Sequence, residues 1–178
     1  MTAAIAAMLI FTACSSTTPA PRGHAMKIES VRMDLRTSSP VLLLSEESGL
    51  RRKLPIWIGP YEAQSIALGM ENVQTPRPNT HDLIQNIVDG LRGKIRRVTV
   101  TELRENTYYA LVELELDGSR IEVDSRPSDA IAVAVRMGVP IFASEAVLEA
   151  AARRAEDEPA LEIEWPVGGG STVETRRH

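Results

Sequence analysis

A single cysteine, Cys14, is all the chain contains, which excludes an internal disulfide framework and any thiolate-built zinc cluster. Aromatic residues are also scarce. Two Phe, three Tyr and two Trp leave a core of Ile, Leu, Val, Ala and Met, enough for a domain of this length. Net positive charge is missing too. At a formal −4, the surface as a whole is not the basic one expected of a protein that binds nucleic acid by phosphate neutralisation alone. A phosphate-handling site must therefore concentrate arginine locally or recruit divalent cations to shield the substrate from acidic groups. The apolar segment Ala3 to Ala13 has eleven residues, too few to span a bilayer.

What is present is the composition of one globular domain with short extensions: 178 residues, 43% hydrophobic and 25% charged. Ala3 to Ala13, the Phe11-Thr12-Ala13-Cys14 site and the polar stretch Ser15 to Gly23 have the anatomy of a bacterial lipoprotein signal, although no Lys or Arg precedes the apolar run. Residues 1–25 are thus expected to be a signal peptide and polar tether with Cys14 as the lipidated residue. The alternative is a start at Met26. The first start implies a cell-envelope lipoprotein whose membrane contact is the anchor on Cys14, the second a cytoplasmic protein.

From Met26 to Ala151 the pattern predicts a single α+β domain, with a mixed, largely antiparallel sheet and about four short helices. Strands are expected around Ile28 to Met33, Val41 to Leu44 and Leu54 to Ile58, then at Ile95 to Leu103 and Tyr108 to Leu116. A tight Asp117-Gly118 hairpin leads to Ile121 and Val123. Helices are expected after Pro60, after Asn79 or Thr80, from Pro127 to Met137-Gly138, and after Ser144. Residues 152–178, with a mixed-charge run, Pro159 and Gly168 to Gly170, read as a weakly ordered tail.

Three polar clusters interrupt these apolar elements: Leu54-Pro55-Ile56-Trp57-Ile58-Gly59-Pro60-Tyr61-Glu62-Ala63, Arg77-Pro78-Asn79-Thr80-His81-Asp82, and Asp124-Ser125-Arg126-Pro127-Ser128-Asp129-Ala130. In this order they resemble the bifunctional nuclease domain family. Its members share a strand ending Leu-Pro-Ile-Trp-Ile-Gly, an Arg-Pro-x-Thr-His-Asp element and an Asp-Ser-Arg-Pro-Ser-Asp-Ala helix start. The resemblance implies hydrolysis of both DNA and RNA, and self-association into a homo-oligomer. Because DNA has no 2′-hydroxyl, water must be the nucleophile. It could be activated by His81 as general base, or by a divalent ion, Mg or Mn, held by carboxylates among Glu62, Asp82, Asp124 and Asp129. Arg77 and Arg126, with Ser128 and the exposed amides of the following helix, would hold the phosphate.

Each cluster also has a structural reading. Asn79 and Asp82 have the spacing of a helix cap, Glu62 suits the positive end of a helix, and Asp124 with Arg126 could be an ion pair that organises a strand-to-helix junction. Trp57 reads as core or a subunit contact. The apolar helix Ala130 to Val135 carries Ala, Ile or Val on both faces, which requires both to be buried and permits a subunit contact. The competing function is accordingly a non-catalytic oligomeric binding or regulatory module of the same fold.

Overall fold

The structure, a computed structural model, describes residues 23–157 and the pair 163–164. Cys14, the Ala3 to Ala13 segment, most of the polar tether and most of the C-terminal tail lie outside the described residues.

The chain runs β1 (His24–Asp34), β2 (Ser39–Glu46), β3 (Lys53–Trp57), α1 (Pro60–Met70), α2 (Thr80–Gly90), β4 (Lys94–Arg104), β5 (Thr107–Leu116), β6 (Ser119–Ser125), α3 (Pro127–Met137), β7 (Ile141–Ala143), α4 (Glu145–Asp157) and β8 (Ile163–Glu164). Four helices and a mixed sheet match the α+β expectation. The first strand begins two residues before Met26, α4 continues past Ala151, and Ile163–Glu164 pairs with the end of β1.

The sheet order is β3-β2-β1-β7-β4-β5-β6, with β8 beside β1. It consists of two antiparallel meanders, β1-β2-β3 and β4-β5-β6, joined by the three-residue β7. That strand lies antiparallel to β1 and parallel to β4, the one parallel pairing among the described residues. The hairpins follow from local chemistry. Asp117 and Gly118, and Glu105 and Asn106, all have φ near +45 to +75°, the left-handed pair that a tight two-residue turn demands.

Helix ends are similarly readable. Asn79 accepts hydrogen bonds from the His81 and Asp82 amides while the Asp82 carboxylate accepts from the Asn79 amide, a complete capping box. Pro127 opens α3 and Gly138, at φ +63°, closes it. The Ser144 hydroxyl accepts from the Val147 amide at the start of α4.

Helix α3 sits at the centre of the molecule, packed on α1, α2, β4 and β5. Its residues Ala130, Ile131, Ala132 and Ala134 are buried with Leu42, Leu54, Ile66, Val98, Val100 and Leu148 in one core. The all-round apolar character of this helix is thus largely satisfied within the chain. Exposed apolar side chains lie elsewhere, among them Leu83 and Ile87 of α2, Leu91 just after it, and Ile121 and Val123 of the edge strand β6.

Candidate active site

Two helix starts and one helix face bring the polar clusters together. Glu62 and Ser65 lie three apart on α1, His81 and Asp82 occupy the first turn of α2, and Arg126 with Asp129 opens α3. Helices α1 and α3 approach closely at Gly69, where a Cβ would stand 3.0 Å from Val135 and 3.1 Å from the Arg136 guanidinium.

The result is a continuous hydrogen-bonded chain. Asp82 accepts from Arg136 Nε at 2.6 Å, and Arg136 Nη2 donates to Ser65 Oγ at 2.8 Å. Ser65 Oγ lies 2.9 Å from His81 Nδ1, and His81 Nε2 lies 3.2 Å from Asp129 Oδ1. Arg126 then grips Asp129 through Nε at 2.7 Å and Nη2 at 3.1 Å, and reaches Glu62 Oε1 through Nη2 at 2.7 Å. The donor inventory fixes much of the proton arrangement. A carboxylate can only accept, so His81 Nε2 carries a proton, and Ser65, already accepting from Arg136, can donate its own to Nδ1.

His81 is buried, and both of its ring nitrogens are occupied. It is therefore placed to hold Asp129 rather than to take a proton from water. Burial raises the proton affinity of the Asp129 carboxyl, but the hydrogen bonds from Arg126 and His81 outweigh it and keep the group below the usual aspartate range. Burial acts on Asp82 in the same way and is overcome by Arg136. The Arg126 guanidinium is pushed further toward its charged form, by Asp129 first and then Glu62.

Arg126 is exposed, and its Nη1 donors meet no partner among the described residues. It also lines three cavities. One of about 540 Å³ is mostly apolar, with Val88, Leu114 and Val133 in its walls. One of about 430 Å³ lies over Glu62, His81 and Asp129. A third, of about 650 Å³, contains Trp57 and Ser128. Glu62 uses Oε1 for Arg126 and leaves Oε2 unengaged beside Gly59. A Cβ at residue 59 would collide with that oxygen, so glycine there makes room for the carboxylate.

The other expected residues stand outside this hydrogen-bonded chain. Arg77 lies exposed in the α1–α2 linker and lines none of the three cavities. Ser128 is buried in the first turn of α3. Asp124 pairs across from Leu111 in β6. It lines the cavity of about 540 Å³ together with His81, Arg126 and Asp129, but makes no hydrogen bond to them among the described residues.

The expected divalent ion has no ready-made ligand set at this site. Among the described residues no group of three His, Cys, Asp or Glu side chains could hold one. Glu62 and Asp129 are both already ion-paired with Arg126. Ser65 and Arg136 complete the network and were not singled out from sequence. The available signal was a lone arginine seven residues after Asp129 on an otherwise apolar helix, hence on the same face.

A family model described as "Bifunctional nuclease domain" matches residues 42–156, the segment that carries every member of this network. The chain belongs to the bifunctional nuclease domain family. An uncharacterized protein of Mycobacterium tuberculosis is 44% identical over 133 residues, covering 75% of this chain and 79% of the relative. Bifunctional nuclease 2 of Arabidopsis thaliana is 30% identical over 132 residues, 72% of this chain and 40% of the relative. Bifunctional nuclease 1 of Oryza sativa subsp. japonica is 30% identical over 112 residues, 60% of this chain and 34% of the relative. The chain thus spans well under half of these plant proteins.

Proposed function

We propose that this bifunctional nuclease domain hydrolyses phosphodiester bonds in DNA and RNA by attack of water at the Arg126–Glu62–Asp129 site. The observation that carries the reading is a guanidinium with unengaged Nη1 donors, held on two carboxylates at the meeting point of three cavities. In this mechanism Arg126 Nη1 donates to a non-bridging phosphate oxygen and stabilises the charge that builds there. Water forms the new P–O bond and gives its proton to Glu62 Oε2. The P–O bond to the departing nucleoside breaks, and its oxygen takes a proton from solvent. Asp129, tied to His81, holds Arg126 in position.

The test is cleavage of labelled single- and double-stranded DNA and RNA by highly purified protein, with and without chelator, beside Arg126→Gln purified identically. Loss of about 100-fold or more in the variant is expected for removal of one charge-stabilising donor, with cleavage surviving chelator. Equal rates in the two preparations would identify a contaminant. Loss in chelator alone would move the chemistry to a metal ion and revive a ligand role for Asp124, Asp129 and Glu62. A second reading, a non-catalytic binding module, is favoured by the saturation of His81. Nucleic-acid binding without cleavage by the unaltered protein would establish it.

A further inference from the structure

The largest of the three cavities on Arg126, about 650 Å³, is lined by neither Glu62 nor Asp129. Five parts of the chain build it. The β1–β2 turn supplies Arg36, the end of β3 supplies Trp57, the β4–β5 turn supplies Asn106, and α4 supplies Arg154, with Arg126 at the start of α3. Three guanidinium groups therefore face one carboxylate, Asp34, in a chain whose overall charge is −4. That carboxylate is already spent. Asp34 is fully buried and accepts from Trp57 Nε1, Thr37 Oγ1 and the Arg36 amide, each at 3.0 Å. Its charge fixes the indole in place instead of repelling an anion. The Arg154 guanidinium lies 5.0 Å from the Trp57 ring centroid.

Local positive charge beside an oriented aromatic ring is the combination that holds a nucleotide: arginine for the phosphates, a ring for the base. The volume falls in the range of sites for one small organic ligand. A base that is paired and stacked in a duplex cannot enter such a recess without leaving its partner. We propose that this cavity receives one unpaired nucleotide of a single-stranded DNA or RNA substrate, next to the phosphate on Arg126. Arg36 and Arg154 then meet the flanking phosphates and Trp57 meets the base. The inference rests on the reading of Arg126 as the phosphate anchor.

The experiment measures binding separately from cleavage. The full chain carries Trp165→Phe, which leaves Trp57 as the sole tryptophan, and Glu62→Gln, which removes the proposed base. It is titrated with a single-stranded oligodeoxynucleotide of about eight nucleotides, within the range of known single-strand site sizes, and with the matching blunt duplex. The single strand is expected to quench Trp57 and the duplex to bind at least about tenfold more weakly, with Arg36→Gln and Arg154→Gln each weakening the single strand about tenfold, the worth of one charged hydrogen bond. Arg36 Nε lies 3.8 Å from Asp34, whose closer partners are Trp57, Thr37 and the Arg36 backbone amide, so Arg36→Gln keeps the indole anchored and reports even if the α4 variant folds poorly. Three results would overturn the proposal: binding with no change in Trp57 emission, equal affinity for the duplex, or an Arg36→Gln protein that binds as tightly as its parent. If the unaltered protein still cleaves in any of those cases, the nuclease reading stands alone. Binding as expected without cleavage would remove only the nuclease reading.

Discussion

At the scale of single residues, the network separates a group that can accept a proton from groups that hold it in place. Glu62→Gln keeps the shape and one acceptor for Arg126 but cannot take a proton, so kcat is expected to fall by about 100-fold or more while the denaturation midpoint stays close to that of the parent. His81→Ala should do the reverse. It removes the buried ring that bridges the Ser65 hydroxyl, whose proton loses its acceptor, and Asp129, which keeps Arg126, at a cost of about 1 to 3 kcal/mol in unfolding free energy. Cleavage per folded molecule is then expected to drop far less than in Glu62→Gln. Measuring both quantities on the same preparations decides the assignment, and the opposite ranking would restore His81 as general base. Arg126, Asp129, His81 and Glu62 were visible in sequence because polar residues at helix starts stand out from apolar periodicity. Ser65 and Arg136 were hidden because one serine or arginine on a helix reads as solvated until a neighbouring helix covers it.

At the scale of elements, the caps carry the site. The Asn79 side chain binds the amides of His81 and Asp82, so it aims the first turn of α2 at α1 and α3. Asn79→Ala is expected to lower stability by about 1 kcal/mol and to reduce cleavage as well, because His81 and Asp82 lose their common anchor. A thermal melt with a rate measurement checks this, and an unchanged rate would detach the cap from function. Gly138→Ala tests a cap remote from chemistry. The left-handed φ of +63° at that position predicts a loss of about 1 kcal/mol or more with cleavage per folded molecule unchanged. These helices and the Asp117-Gly118 hairpin were legible because caps and turns are local. Strand β7 was not. Three residues, Ile141–Ala143, have too little pattern of their own and become a strand only by filling the gap between β1 and β4.

At the scale of the whole molecule, two sets of buried charges and one bare edge set the behaviour. Glu46 is buried and bound by Arg52, with the His24 ring nitrogen at 2.8 Å, joining β1 and β2 to the β2–β3 connection. The Arg52 side chain, against the opposing effect of burial, holds this carboxyl below the usual glutamate range, and Trp57 does the same for Asp34. Lowered folded-state values mean stability that is fully present above the ordinary carboxylate range and is lost as the pH falls through the folded values. Urea midpoints should therefore hold from neutrality to about pH 5 and fall below about pH 4. Glu46→Gln should soften that acid loss, and an identical pH profile would discount the cluster. The sheet edges differ. Strand β3 is short and carries Lys53 and Pro55, which discourage added strands, whereas β6 exposes Ile121 and Val123. A two-fold antiparallel pairing of β6 about Ile121 would set Arg120 opposite Glu122 of a second copy. Self-association through this edge is accordingly expected, and Ile121→Lys should shift light scattering toward the monomer. A protein monomeric before the change would remove the expectation.

Sequence alone determined the elements whose causes are short-range: the caps at Asn79, Pro127 and Gly138, the hairpin turns, the alternation of the strands and the three polar clusters that mark the family. Only the tertiary structure decided what those clusters do together. Asp124, five residues before Asp129, lines the same cavity yet stays outside the hydrogen-bonded chain, and it is packing of α1, α2 and α3 that brings Ser65, His81, Asp129 and Arg136 into hydrogen-bonding distance. Neighbourhood along the chain does not decide membership of the network, because the repeat changes from two residues to 3.6 at the β6–α3 junction.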